Sequence, residues 1–416
     1  MKRRLLILLT GAAMAGALLT MAGIAGAQEV PGSPVLNQTP DDTWMTNGQV
    51  FSVARSGDYV YVGGKFTKAR QSPAAGAPSF KATNLARFDA DTGVGDPTWT
   101  PDVTGADTTT AVYALAGAGE NIWVGGKFGA VDGLARRNLA AVSAETGVVD
   151  PAVDPVVGTE TNNGVRALLA DPAGTRVYVG GFFLQIDGKS RRYLGALDLA
   201  GNLDTGWTPK TDANVRNLSF SCDGAAVFAG GKFRSAAGSG SAVYGPRETI
   251  ARFDSATGAL DPWAIPSGTV PNEQVASDLA VTCGRVSAGY LGQNWARSFR
   301  LDNGDTGTMA WEDKTAGNVQ AVTMLGNDKL IIGGHFSNVT EDIRAVPGAQ
   351  RYPRTRIALL NLSDGSVDQS WDPAIDGNFF GPWDLLVEGN HLWVGGQFQT
   401  VDGLPRTHLA RFTFTP

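Results

Sequence analysis

Tyr61-Val-Gly-Gly-Lys-Phe66 decides the reading of this chain, because it keeps returning. It comes back as Trp123-Val-Gly-Gly-Lys-Phe128, Tyr178-Val-Gly-Gly-Phe-Phe183, Phe228-Ala-Gly-Gly-Lys-Phe233, Ile331-Ile-Gly-Gly-His-Phe336 and Trp393-Val-Gly-Gly-Gln-Phe398. The gap between Gly230 and Gly333 is double the others, and Val286-Ser-Ala-Gly289-Tyr-Leu291 fills it as a worn copy. Seven copies at a mean spacing of about 55 residues have the period of propeller-type arrays.

Around each copy the sequence has room for four short strands. Strand a is of the Val-x-Ala-Leu type, as at Val112–Leu115 and Val165–Leu168, and strand b carries the double glycine. Strand c reads Leu-Ala-Arg-Phe-Asp at 85–89, with relatives at Ile250–Asp254 and Ile357–Asn361. Thr-Gly or Asp-Gly turns follow at Thr92-Gly93, Thr146-Gly147, Thr257-Gly258 and Asp364-Gly365, and strand d ends in Asp-x-x-Trp-x-Pro. The last copy stops inside strand c, while an orphan Asp41-Asp-Thr-Trp44 stands near the other end of the chain. An N-terminal strand completing the last unit removes the exposed edge that an open array would leave. The expected fold is therefore all-β: one seven-bladed β-propeller of four-stranded antiparallel blades over 41–416, its N-terminal strand closing the last blade.

Gly-Gly-x-Phe, an Asp-Gly turn with Arg, Leu-Ala-Arg-Phe and Asp-x-x-Trp together resemble the delta-sixty repeat of bacterial secreted and cell-surface proteins. Those propellers are distantly similar to Kelch and galactose-oxidase propellers. The resemblance implies a fold and transfers no catalytic residues.

Composition agrees with many short strands and narrows the partners. The 416 residues include 54 Gly, only 18% are charged, and the net charge is −6. Without a basic stripe, nucleic acid is not an expected partner. Lys2, Arg3 and Arg4, then an apolar run ending in Ala25-Gly26-Ala27, form a signal peptide over 1–27, followed by a short linker over 28–40. The expected product is an exported monomer, extracellular or held at the cell envelope, with no membrane span after cleavage.

Little in the repeats reads as chemistry. The double glycines lack the strand-to-helix turn of a phosphate loop and read instead as bulges or close approaches between blades. Trp44, Trp99, Trp207, Trp311 and Trp371 read as core between blades. The Asp-Gly-x-x-Arg runs at Asp132–Arg136, Asp187–Arg191 and Asp402–Arg406 suggest Asp–Arg pairs that fix the b–c turn. Asp89–Gly93 and Asp302–Gly307 lack the full ligand series of a calcium loop. His335, His391 and His408 fall at unlike places, so neither a metal site nor a histidine triad assembles, and no cofactor is expected.

Two readings remain. Cys222 and Cys283 each stand four residues after the strand a Leu of consecutive units, which predicts a disulfide between innermost hairpins. The residue after the first Val of strand a, or at the matching place where the start is altered, is expected near the channel mouth: Phe51, Tyr113, Arg166, Arg216, Ser277, Gln320 and, after an altered start, Trp383. Aromatics beside two arginines stack a sugar or hold an anion; equally, they pack between blades. Enlarged b–c loops at 67–83, 234–248 and 337–354 put length variation on one face, as binding surfaces do. A non-catalytic module presenting loops to a protein or glycan partner is the expected function. The alternative is an exported carbohydrate-active lyase or hydrolase with its site at the channel mouth.

Overall fold

Each double glycine sits where a Cβ would find no room. A Cβ on Gly64 would lie 2.0 Å from the Gln49 carbonyl oxygen of the paired strand, and one on Gly63 would lie 2.4 Å from Val112 of the next sheet. The first glycine thus lets neighbouring sheets approach, and the second lets the strand beside it buckle. These contacts recur around an all-β chain in a computed structural model that describes residues 34–158, 164–292, 294–302, 304–342, 349–377 and 379–415. The expected signal peptide lies outside the described residues, among which there is no helix.

Seven antiparallel ladders carry the repeat, each with its inner strand first. Sheet one is Gln49–Ser56, Tyr59–Lys65 and Leu85–Asp89; sheet two is Ala111–Ala118, Asn121–Lys127 and Leu139–Ser143. Sheet three is Val165–Ala170, Arg176–Gly181 and Leu194–Asp198; sheet four is Val215–Phe220, Ala226–Gly231 and Ile250–Asp254. Val275–Val281, Arg285–Leu291, Trp295–Arg300 and Met309–Thr315 make sheet five, and Val319–Leu325, Lys329–Gly334 and Ile357–Asn361 make sheet six. Gly381–Glu388, His391–Gln397 and Leu409–Thr415 make sheet seven, with Val35–Leu36 as its fourth strand. Inner strands touch in sequence order from one to seven, and the seventh touches the first. Seven apolar cores lie between these neighbours, including one that joins Trp393 and Leu409 of sheet seven to Val50 and Val62 of sheet one.

The fourth strand is shorter than expected. In sheets one, two, three, four and six it shrinks to a single bridge, such as Phe88 with Gly95 or Leu360 with Val367. Proline and the Asp-x-x-Trp turn leave little chain to pair there, and the tryptophan does the anchoring instead. Trp99, Trp207, Trp311 and Trp371 are fully buried, each donating its indole N–H to a carbonyl, while Trp44 stays half-buried against Phe80.

N-terminal pairing begins earlier than the Asp41 expected, inside the stretch read as linker. Val35 and Leu36 pair with Thr415 and Phe414. Asp41 Oδ2 then accepts from Arg411 Nε at 2.7 Å, as Asp96 Oδ2 accepts from Arg87 Nε at 2.9 Å within sheet one. The Arg411 guanidinium also donates to Ala90 and Asp91 carbonyls of sheet one, and that of Arg87 to Ala144 and Glu145 carbonyls of sheet two. The same device recurs where the chain's two ends meet.

Cys222 and Cys283 form a disulfide with Cα atoms 5.1 Å apart, joining the hairpins of sheets four and five. The expected Asp–Arg pairs of the b–c turns do not form. Asp132, Asp187 and Asp402 instead accept backbone N–H groups of Asp102, Val156 and Ala374, each in a left-handed turn with the following glycine. Their arginines reach carbonyls: Arg136 those of Ala135, Asp150 and Pro151, Arg191 those of Ser190 and Asp204, Arg406 those of Pro405 and Asp41. Backbone groups stranded by the turn outcompete a charge pair that water would screen.

Candidate functional site

The inner strands are all bulged at one place. Pairing skips one residue between Val50 and Ser52, Val165 and Ala167, Val215 and Asn217, Ala276 and Asp278, Val319 and Ala321, and Pro382 and Asp384. In sheet two the skip falls between Val112 and Ala114. The unpaired residues are Phe51, Tyr113, Arg166, Arg216, Ser277, Gln320 and Trp383, the set singled out from the sequence. A bulge re-aims its extra side chain away from the ladder. All seven line one central space, divided into an outer cavity of about 210 Å³ and an inner one of about 170 Å³.

Within this collar the rings form a chain. Phe51 lies 5.2 Å from Tyr113 and 5.9 Å from Trp383 between centroids, and Trp383 lies 5.3 Å from Phe380. Phe380 meets Phe379 at 5.1 Å, and Phe379 meets His335 at 4.8 Å. Phe379 is 67% exposed, so the chain of rings runs from open solvent inward. At its inner end the Arg166 guanidinium stacks 3.6 Å from the Tyr113 centroid. Arg166 and Arg216 lie 5.2 and 5.3 Å from the Phe182 ring.

Burial sets the electrostatics of the two arginines. It lowers Arg166 from its ordinary value, and with the charge of Arg166 added it brings Arg216 down to about 10. Both remain cationic at neutral pH. The Nε of each is buried without a hydrogen-bond partner, as are Gln320 Oε1 and Trp383 Nε1. Ser277 differs, since its hydroxyl is spent on the Gly289 and Val319 carbonyls.

Sequence reading missed two carboxylates just inside the collar. Asp278 and Asp384 follow Ser277 and Trp383 and line the inner cavity. Asp384 accepts the Val53 N–H of sheet one and the Leu385 N–H, at 2.7 and 2.9 Å. Asp278 accepts the Val322 N–H of sheet six, the Leu279 N–H and the Asn217 side-chain amide. These carboxyls satisfy N–H groups that the bulges strand, and Ser52 does the same for the Leu115 N–H. Burial pushes Asp278 up to about 7, and burial plus the charge of Asp278 pushes Asp384 up to about 8, against the pull of the amides. Their signal was polarity at one recurring place: Ser52, Asn217, Asp278 and Asp384 stand where Ala114, Ala167 and Ala321 occupy the other inner strands.

Other candidates disperse. No described residue of the enlarged b–c segments lines the central space. They fold back as small hairpins, Lys68–Arg70 with Ser79–Lys81 and Ser235–Ala237 with Gly245–Pro246. Asn338–Thr340 pairs likewise with Arg351–Pro353. A larger cavity of about 510 Å³ lies near Lys127 and Arg136, whose charges are already met by Asp107 and Asp154. Asp89 turns onto its own Thr92. His335 joins the rings, His391 stands 3.8 Å from Asp41, and His408 is buried and pushed down to about 4. Among the described residues no group of three or more His, Cys, Asp or Glu is placed to hold a metal ion. Nor is any helix among them long and apolar enough to cross a membrane.

No protein-family description matches this chain, and no curated protein matches it. Among solved structures, the computationally designed Ika8 protein is similar with a TM-score of 0.47 and 14% identity, over 92% of this chain and 100% of that one.

Proposed function

We propose that this chain is an exported, closed seven-bladed propeller that binds a glycan at its central collar without catalysis. The ring of contacts from sheet one to sheet seven and back supports closure. The delta-sixty resemblance of the repeats points to the same architecture and to a bacterial surface setting, and the disulfide suits an oxidising compartment. The observation that carries binding is the convergence of seven bulge residues on one cavity, entered along rings that begin at exposed Phe379 and Phe380. Aromatic faces leading into a cavity suit the apolar faces of a sugar. A screen of the exported chain against glycans and proteins tests this, repeated with Trp383→Ala. Glycan binding lost in the variant is the expected result; no glycan bound, or binding indifferent to Trp383, refutes it.

One observation favours a second reading, an exported polysaccharide hydrolase or lyase. Asp278 and Asp384, two acids with raised pKa values beside one cavity, are the kind of pair that does general acid–base work. Their oxygens, however, are engaged by backbone amides, which fits a structural duty. Polysaccharide cleavage that disappears with Asp384→Asn would establish the enzyme.

A further inference from the structure

We infer that the collar takes an acidic oligosaccharide, with a sugar carboxylate seated between Arg166 and Arg216. The inference rests on the glycan-binding reading and names the ligand class.

Among the described residues the two arginines lack a counter-ion. Several other half-buried and buried arginines meet acids, Arg87 with Asp96, Arg176 with Asp204, Arg297 with Glu312 and Arg411 with Asp41, while Arg191 and Arg247 meet backbone carbonyls. Arg166 and Arg216 meet neither an acid nor a carbonyl among the described residues: Arg166 bonds Tyr113 and lies over its ring, and both stand near the Phe182 ring, in a protein whose net charge is −6. A cation held away from water without an anion is costly, and a ligand carboxylate repays that cost. The guanidinium fork matches a planar carboxylate bidentately. Burial pushes the neighbouring Asp278 up to about 7 and Asp384 up to about 8, so at mildly acidic pH they are largely uncharged and do not neutralise the arginines.

Size at the entrance agrees. An outer cavity of about 210 Å³ is below the ~300–1,000 Å³ of usual ligand pockets, so it admits the end of a chain and excludes a folded surface. The rest of the ligand then lies along Trp383, Phe380 and Phe379. Gln320 Oε1 and Trp383 Nε1 offer one acceptor and one donor, which sugar hydroxyls satisfy with slight side-chain movement.

The test titrates the full exported chain with uronate trimers (galacturonate, glucuronate and mannuronate), a neutral galactose trimer and tri-alanine with a free carboxylate. Calorimetry and tryptophan fluorescence are the readouts. At least one uronate trimer is expected to bind ten-fold or more tighter than the neutral trimer, and to weaken as salt rises. Arg216→Gln removes that preference while its unfolding midpoint stays at the wild-type value, and Arg216→Lys restores part of it. Equal binding of the neutral trimer, unchanged uronate affinity in Arg216→Gln, or preference for tri-alanine overturns the inference. If neutral sugar binds and only Trp383→Ala abolishes it, the glycan reading stands and the acidic ligand falls. If no sugar binds, both fall.

Discussion

Replacing Asp41 with alanine tests whether the chain's beginning is built into its last sheet, and the repeat supplies its own control. The Arg411–Asp41 contact is 2.7 Å with side chains 8% and 16% exposed; the Arg87–Asp96 contact is 2.7 Å with 7% and 17% exposed. Both arginines also donate to two carbonyls of the next sheet. Removing either carboxylate leaves a buried guanidinium unpaired. Breaking a buried pair from one side costs about 3–5 kcal/mol, and the partial exposure of the acids brings that to about 2–4 kcal/mol. Asp41→Ala should therefore destabilise as much as Asp96→Ala, although its partner lies at the opposite end of the sequence. Equilibrium urea unfolding at pH 8, followed by tryptophan fluorescence, reads both, and an Asp41/Arg411 double-mutant cycle isolates the pair. If Asp41→Ala costs less than a third of what Asp96→Ala costs, the N-terminal segment is an accessory and closure of the ring is wrong.

Three further outcomes follow from the same geometry. Asp278 and Asp384 titrate near 7 and 8 when folded, against about 3.9 for a free aspartate, so their stabilisation is full below pH 4 and lost as pH rises through 7 and 8. Unfolding free energies from pH 5 to 9 should fall by a few kcal/mol relative to the Asp278→Asn/Asp384→Asn variant; a difference curve flat with pH refutes the shift. Cys222→Ala/Cys283→Ala should cost about 2–4 kcal/mol in the same unfolding assay, and an unchanged midpoint would show that the bridge constrains nothing. Gly126→Ala should cost about 1–3 kcal/mol, because its Cβ would lie 2.2 Å from the Ala111 carbonyl, whereas Gly129→Ala, with nothing nearer than 3.9 Å, should not; equal effects would remove the bulge argument.

Much of the frame was legible because the repeat makes each strand's place visible seven times over. Leu85–Asp89, Ile250–Asp254 and Ile357–Asn361 are strands with the bounds read from their motif. The equal offset of Cys222 and Cys283 from their strands pointed to the bridge between adjacent hairpins. Register within a repeat is local information, and periodic sequence carries it. The partners of the Asp-Gly-x-x-Arg residues were misread for the opposite reason. Spacing put Asp132 near Arg136, but stranded amides and carbonyls from other turns decided what each side chain bonds.

What the sequence by itself determined is therefore the alternation of strands, the positions of the glycines and which residue of each inner strand is singular. Only the tertiary structure decided what those singular residues are to one another. Phe51 and Trp383 stand at opposite ends of the chain, yet their rings meet at 5.9 Å, and Asp384 accepts an N–H from Val53. Such contacts arise from bringing distant inner strands around a common space, and no local pattern of hydrophobicity or turn chemistry encodes which cations are thereby left without an anion.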